Sequence, residues 1–237
     1  RWRRTGLWTA VIFDVGMLMV FKYTNFLLSN LSHIIPGLPS PEIVLPIGIS
    51  FYTFQSMSYV IDVYRGQEKP ARNPFHTALY IVLFPQLIAG PIVRYTDVAK
   101  DITARRETIE DAAAGIQRFL FGMAKKVLLA NPMGEIAGEV FGQRAAMLST
   151  GLAWLGVLAY TAQIYFDFSG YSDMAIGLGR IFGFHFGENF RYPYISQSIT
   201  EFWRRWHISL SSWFRDYVYI PLGGSRVSRK RQIWNLL

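Results

Sequence analysis

The sequence predicts an all-α, polytopic membrane protein, with helices gathered around a central polar path and amphipathic and re-entrant pieces among them. Three observations predict it. Of 237 residues, 51% are hydrophobic and only 17% charged, against about 25% charged in a soluble domain. Apolar runs long enough to cross a bilayer recur along the chain. The 24 Lys and Arg outnumber the 16 Asp and Glu and gather between those runs. In a soluble protein a net charge of +8 would point to nucleic acid. Beside apolar runs it points to a basic face on anionic lipids, and nucleic acid is not an expected partner.

Leu7 to Leu28 has the roughly 20 residues needed to span about 30 Å. Lys22 can snorkel from it, while Asp14 is expected to face protein. Ile43 to Tyr64 is the second candidate, with Pro46 and Gly48 in its first turn and Asp62 near its end. Phe75 to Val93 is the third. Pro85 and Gly90-Pro91 break it, which predicts a kinked or re-entrant segment. Ile116 to Ala130 is shorter and amphipathic, carrying Arg118 and the Lys125-Lys126 pair. Gly151 to Gly179 is the longest run, interrupted by Gln163, Asp167, Ser169, Ser172 and Asp173.

Lys and Arg placement sets the expected topology. Arg1, Arg3 and Arg4 put the amino end in the cytoplasm. Ser29 to Glu42 has no Lys or Arg and belongs outside. Arg65, Lys69 and Arg72 return the chain inside. The basic Arg94–Arg106 connection conflicts with simple alternation, and a re-entrant third segment removes the conflict. The fourth segment then goes out, the fifth returns, and Arg180 onward is cytoplasmic.

The chain has no cysteine, so disulfides, thiolate metal sites and a Cys-acyl intermediate are excluded. No cleavable signal peptide is visible. Neither an internal repeat nor a linker divides the chain, so 1–237 is expected to be a single domain, incomplete at its carboxyl end. HExxH, CxxC, GxxxxGK[ST], GxSxG and GxGxxG are all missing. That argues against zinc proteases, P-loop NTPases, the usual serine hydrolases and dinucleotide enzymes, and no metal site is expected.

The densest chemistry lies in Ser198 to Gly224, SITEFWRRWHISLSSWFRDYVYIPLGG. Ser198 with Glu201 is a capping-box signature, and Pro221 and Gly223-Gly224 end the predicted helix. On a helical wheel Trp203, Trp206, Leu210, Trp213 and Tyr217 form an apolar stripe. Arg204, His207, Ser211 and Arg215 form a polar one. His207 sits where the stripes meet. Desolvation and neighbouring arginines both disfavour the imidazolium, so its pKa should fall, leaving a neutral ring able to take a hydroxyl proton. The arginines suit a phosphate or an oxyanion. An interfacial amphipathic helix with His207 as a bystander is the other reading of the same residues.

The stretch YTAQIYFDFSGYSDM, Tyr160 to Met174, is the second constellation. Gln163 and Asp167 share a helix face, Ser169-Gly170 is expected to loosen the helix, and Asp173 starts a new face. These carboxylates read either as the wall of a substrate path or as structural ion pairs, with partners expected from the basic helix downstream. His33, His76 and His185 are isolated, and packing or surface roles are expected of them.

Four ordered blocks carry a family resemblance. LPIGISFYTFQSMSYVIDVYRG (Leu45 to Gly66), FPQLIAGPIVRY (Phe84 to Tyr95), QIYFDFSGYSDMAIGLG (Gln163 to Gly179) and the Ser198–Gly224 block together resemble the membrane-bound O-acyltransferase family. The likeness is to its alginate O-acetylase-like branch, with the D-alanyl transfer proteins of teichoic-acid modification as cousins. The resemblance implies a multi-pass enzyme of the bacterial inner membrane. Such an enzyme takes an acyl group, usually acetyl, from a cytoplasmic-side donor, with acetyl-CoA the expected one and no bound cofactor. It passes the group toward hydroxyls of an extracellular polysaccharide, together with a periplasmic or membrane-anchored transferase.

His207 matches the first of the family's two signature histidines. The second lies in a Trp-His-Gly motif on a later segment, and the chain reaches Leu237 before any such motif, so this piece is expected to lack half of the catalytic pair. The roles implied are His207 in the reaction path, Arg204, Arg205, Arg215 and Trp206 toward donor or substrate, and Asp167, Asp173 and Ser211 as supporting partners. Two other classes would fit some of the same features. A transporter subunit would show an inverted repeat, and a non-catalytic scaffold of an exopolysaccharide modification system would tolerate loss of His207.

Overall fold

A computed structural model describes residues 2–35, 37, 42–87 and 90–236 (backbone only at 145). Arg1 of the amino-terminal basic trio, part of the Ser29–Glu42 connection, and two residues of the Phe75–Val93 run therefore lie outside the described residues. Every regular element among them is helical, as predicted: α1 (Trp2–Ser32), α2 (Ile49–Arg65), α3 (Pro74–Val82), α4 (Tyr95–Ala104), α5 (Ile109–Ala124), α6 (Asn131–Phe141), α7 (Thr150–Ile181), α8 (Ile199–Arg205), α9 (Ile208–Phe214) and α10 (Arg229–Leu236). The chain forms two compact units. One comprises Arg1–Ile88, Ile92–Thr103 and Trp213–Leu237; the other comprises Ala89–Pro91 and Ala104–Ser212.

In the first unit, α1 has 31 residues, about 46 Å of helix at 1.5 Å per residue. It is the one described helix both long and apolar enough to cross a bilayer. It runs antiparallel to α2. Near its start Arg3 donates to the Tyr64 carbonyl at 3.1 Å, and near its end the Asn25 amide holds the Ile43 backbone at 2.9 and 3.2 Å. Asp14 faces protein as expected, with its carboxylate meeting the Ser56 hydroxyl.

α2 begins after Gly48, whose φ of 78° is left-handed. A Cβ there would lie 2.6 Å from the Leu87 carbonyl oxygen, so a side chain is excluded on both counts. α3 starts on the Asn73 cap with Pro74 in its first turn. Its nine residues reach only about 13 Å. The apolar run around Pro85 is therefore not one spanning helix: α3 ends at Val82, and a 3₁₀ turn takes Phe84–Gln86.

In the second unit, α5, a wide π turn over Lys125–Ala130 and α6 make one continuous rod. The predicted short segment Ile116–Ala130 is thus only its middle. The widened turn ends just before Pro132, which has no N–H to give, so the helix continues through a residue that would otherwise stop it. α5 packs antiparallel on α7 through paired glycines. A Cβ on Gly115 would sit 2.6 Å from the Gly177 carbonyl oxygen, and one on Gly177 2.6 Å from that of Gly115. Gly122 and Gly170 repeat the arrangement two turns along. Arg180, on the last turn of α7, donates to Asp111, on the first turn of α5, at 2.9 Å. Ser169-Gly170 does not loosen the helix, contrary to expectation. α7 is unbroken to Ile181, because the missing side chain at Gly170 is used for close approach rather than for a bend.

Candidate functional site

The Ser198–Tyr219 region is not the single amphipathic helix the wheel implied. The cap is as predicted: the Ser198 hydroxyl accepts from the Glu201 N–H at 3.1 Å. But α8 ends at Arg205, Trp206 is extended, and His207 takes a left-handed φ of 43° before α9 begins. A π turn then takes Arg215–Tyr219. The two stripes therefore do not exist as continuous faces. Such a backbone is uncommon for a non-glycine residue and costs of order 1 kcal/mol or more. It persists because the surroundings fix it.

Asn189 does the fixing. Its side chain is 1% exposed and its Oδ1 accepts from the Ser209 N–H at 3.2 Å, from the Ser209 hydroxyl at 2.9 Å and lies 3.1 Å from His207 Nδ1. Its Nδ2 donates to the Ser172 hydroxyl on α7 at 2.9 Å. Its own carbonyl accepts from the Ile208 N–H, and the Arg191 N–H donates to the Arg205 carbonyl, both at 2.9 Å. One loop thus staples the break between α8 and α9 to α7.

His207 is 8% exposed. Phe168 meets its ring edge-on at 4.7 Å between centroids, and Phe190 lies nearly parallel at 6.4 Å. Trp206 joins the surrounding aromatic cluster, stacked on Phe202 at 5.6 Å and edge-on to Phe190 at 5.0 Å. Burial pushes the His207 pKa down to about 4, so the ring is neutral near pH 7. The direction is as expected, but the cause is burial; guanidinium groups take no part.

The arginines stand elsewhere. Arg204 is exposed. Arg205 pairs with Glu201 at 2.8 Å and donates to the Arg191 carbonyl at 3.2 Å. Arg215 belongs to the other unit, paired with Asp216 at 2.6 Å. Ser211 donates to the Trp206 carbonyl at 3.4 Å rather than to the imidazole. The aspartates also differ from expectation. Their partners come from the upstream rod, not from the basic region downstream. Asp173 takes Arg118 at 2.8 Å and Lys125 at 2.6 Å, and Asp167 takes Lys126 at 2.6 Å. The π turn places those adjacent lysines opposite α7.

Beside His207 lies a cavity of about 340 Å³. Arg118, Lys125, Arg191, Asp173 and Glu188 line it with three positive and two negative charges, and Ser169, Ser172, Ile176, Asn189, Phe190 and two tyrosines complete the wall. Arg118 bridges Asp173 and Glu188. The Ser169 hydroxyl, 2% exposed, has no hydrogen-bond partner among the described residues. His207 itself does not line the cavity; Asn189 and Phe190 stand between. Sequence reasoning missed Asn189, Glu188 and Ser209. The one signal available was a polar pair, Glu188-Asn189, set in the aromatic loop FGENFRYPY.

A second polar centre lies in the first unit. The Asp62 carboxylate, 2% exposed, accepts from the Tyr217 hydroxyl at 2.7 Å. Arg65 and Arg94 lie over the Tyr217 ring at 5.3 and 5.2 Å. Arg94 also pairs with Asp216.

The family model for "MBOAT, membrane-bound O-acyltransferase family" matches residues 72–237. A protein named "Probable alginate O-acetylase" from Pseudomonas aeruginosa is 51% identical over 241 residues, covering all of this chain and 45% of the relative. The "Peptidoglycan O-acetyltransferase" of Helicobacter pylori is 36% identical over all of this chain and 50% of its own length. The "Teichoic acid D-alanyltransferase" of Bacillus subtilis is 33% identical over 89% of this chain and 53% of its own length. The chain spans about half the length of the curated relatives it matches. With the matched model covering well over half its residues, the chain belongs to the membrane-bound O-acyltransferase family.

Proposed function

We propose that the protein containing this chain is an acyltransferase that moves an acyl group, acetyl in the simplest case, from a cytoplasmic-side thioester donor such as acetyl-CoA to hydroxyls of an extracellular polysaccharide. The relatives named above act, by their names, on alginate, peptidoglycan and teichoic acid, and acyl transfer to a polymer is what they share. In the reaction the acceptor oxygen bonds to the acyl carbon, the carbon–sulfur bond breaks, and the hydroxyl proton ends on the leaving thiolate.

The observation that carries the reading is a buried, neutral imidazole, held by Asn189 in a strained backbone and walled by aromatic rings. A neutral imidazole is the group suited to hold the proton in transit, directly or through a second histidine. Arg204 and Arg205 serve anionic groups of the donor, and Trp206 belongs to the wall of the acyl path. Asp167 and Asp173, tied to the α5 rod, and Ser211 support the site. The setting is the bacterial inner membrane, crossed several times. The α5–α6 rod and α7 both exceed bilayer thickness and leave Phe121, Leu128, Trp154 and Leu158 exposed. A periplasmic or membrane-anchored transferase completes delivery.

Replacing His207 with Ala in the full-length protein tests the reading. Polysaccharide O-acylation should fall by about a hundredfold or more while the amount of protein in the membrane stays normal. Undiminished acylation would reject it.

A further inference from the structure

We infer that Asn189 is a positioning residue that fixes which nitrogen of His207 is available for chemistry. The amide orientation is not open to choice. Its Oδ1 lies 3.2 Å from the Ser209 backbone N–H, a group that can only donate, so the oxygen and not the NH₂ faces α9. The NH₂ correspondingly donates to the Ser172 hydroxyl at 2.9 Å. An oxygen that can only accept then lies 3.1 Å from His207 Nδ1. In the neutral ring Nδ1 must therefore carry the proton, and Nε2 holds the lone pair. Among the described residues Nε2 makes no hydrogen bond. The same oxygen also holds Ser209, so the ring's tautomer and the left-handed turn that aims it are set by one atom.

The amide faces two ways. Toward α9 it sets the imidazole; toward α7 it bonds a hydroxyl that lines the charged cavity. Two features of the sequence are thereby explained together: a buried amide in an aromatic-rich loop, and a serine two residues beyond the histidine. Asn189 touches no reacting atom in this account. It acts through His207, and its importance for turnover rests on the acyl-transfer reading above, whereas the protonation state it imposes does not.

The test uses the full-length protein in lipid bilayers with ¹⁵N-labelled histidine, at pH 8. The His207 resonances are identified as those lost in His207→Gln. The expected spectrum shows a protonated Nδ1 and an unprotonated Nε2. Asn189→Leu, similar in size but with no acceptor, should lose that single pattern and lower the acylation rate at least about tenfold, with little change in KM. Asn189→Asp, which offers an oxygen to the same three donors, should restore the pattern and recover most of the lost rate. A proton on Nε2 in the wild type overturns the inference, and so does an unchanged nitrogen pattern in Asn189→Leu. Should the Leu variant fail to reach the membrane, the wild-type spectrum and the Asp variant decide. Normal acylation by His207→Ala would remove the acyl-transfer reading but leave the spectrum, and this inference about the ring, standing.

Discussion

The two units bury polar chemistry in opposite ways. At the Asp62 centre a carboxylate goes inside with a tyrosine hydroxyl on one oxygen and guanidinium groups over the tyrosine ring. At the His207 centre the buried groups are an imidazole, an amide and hydroxyls, none of which needs a charge. Burying a charge is tolerated only with partners close by, and removing one partner leaves the other exposed to the full desolvation cost. A neutral network has no such debt, but it becomes vulnerable to any proton it takes up. The first arrangement suits a structural clamp, and the second suits a group that must hold and release a proton.

Acid should separate the two centres most. His207 has a folded-state pKa of about 4, below the ordinary value of 6.5. Between those values the unfolded state binds the extra proton, so stability rises with pH across the window and is lost as pH falls through it. The full loss is about 3 kcal/mol at 1.36 kcal/mol per unit. Melting temperature measured from pH 7 to pH 4.5 should therefore fall more steeply for the wild type than for His207→Gln. Parallel curves would place the imidazole in water.

The Asp62 centre should respond to a different change. Tyr217→Phe removes the hydroxyl that donates to the buried carboxylate and should cost about 2 kcal/mol, read as a lower melting temperature in detergent. Asp62→Asn in the same background should recover part of that loss. A Tyr217→Phe variant as stable as the wild type would mean that the carboxylate is already protonated or hydrated.

The smallest effect is expected at Lys126, whose pair with Asp167 is more than 40% exposed on both sides. Lys126→Ala should change stability by less than about 1 kcal/mol, whereas Lys125→Ala, on the better shielded Asp173, should cost more. Equal effects would remove the distinction between a surface pair and a cavity wall.

Some of this was legible in the sequence and some was not, for physical reasons. α1, α2 and α7 follow from apolar runs, and the start of α8 from Ser198 and Glu201, because those signals are local. The Leu83–Gln86 break follows from Pro85. Of the rod from Ile109 to Phe141 only Ile116–Ala130 stands out as a run, since its flanks carry Glu110, Asp111, Glu135 and Glu139 and its continuation past Pro132 depends on a widened turn that apolar patterning does not reveal. The break at His207 was invisible because its left-handed backbone is enforced by Asn189, 18 residues upstream. The partners of Asp167 and Asp173 were assigned to the wrong side of the sequence because ion pairing depends on which helices pack. The α5–α7 contact is set by glycines whose facing arrangement only the fold reveals. The burial of His207 was read correctly, since an aromatic-rich surround is written in the neighbouring residues.

The most direct measurement of the central claim is an experimental structure of the full-length protein with acyl donor bound. The account predicts His207 Nε2 facing the acyl path, within about 3 Å of the acceptor hydroxyl or of a group that relays its proton, with Nδ1 on Asn189. An Nε2 sealed against packed apolar side chains, with the donor bound elsewhere, would contradict it.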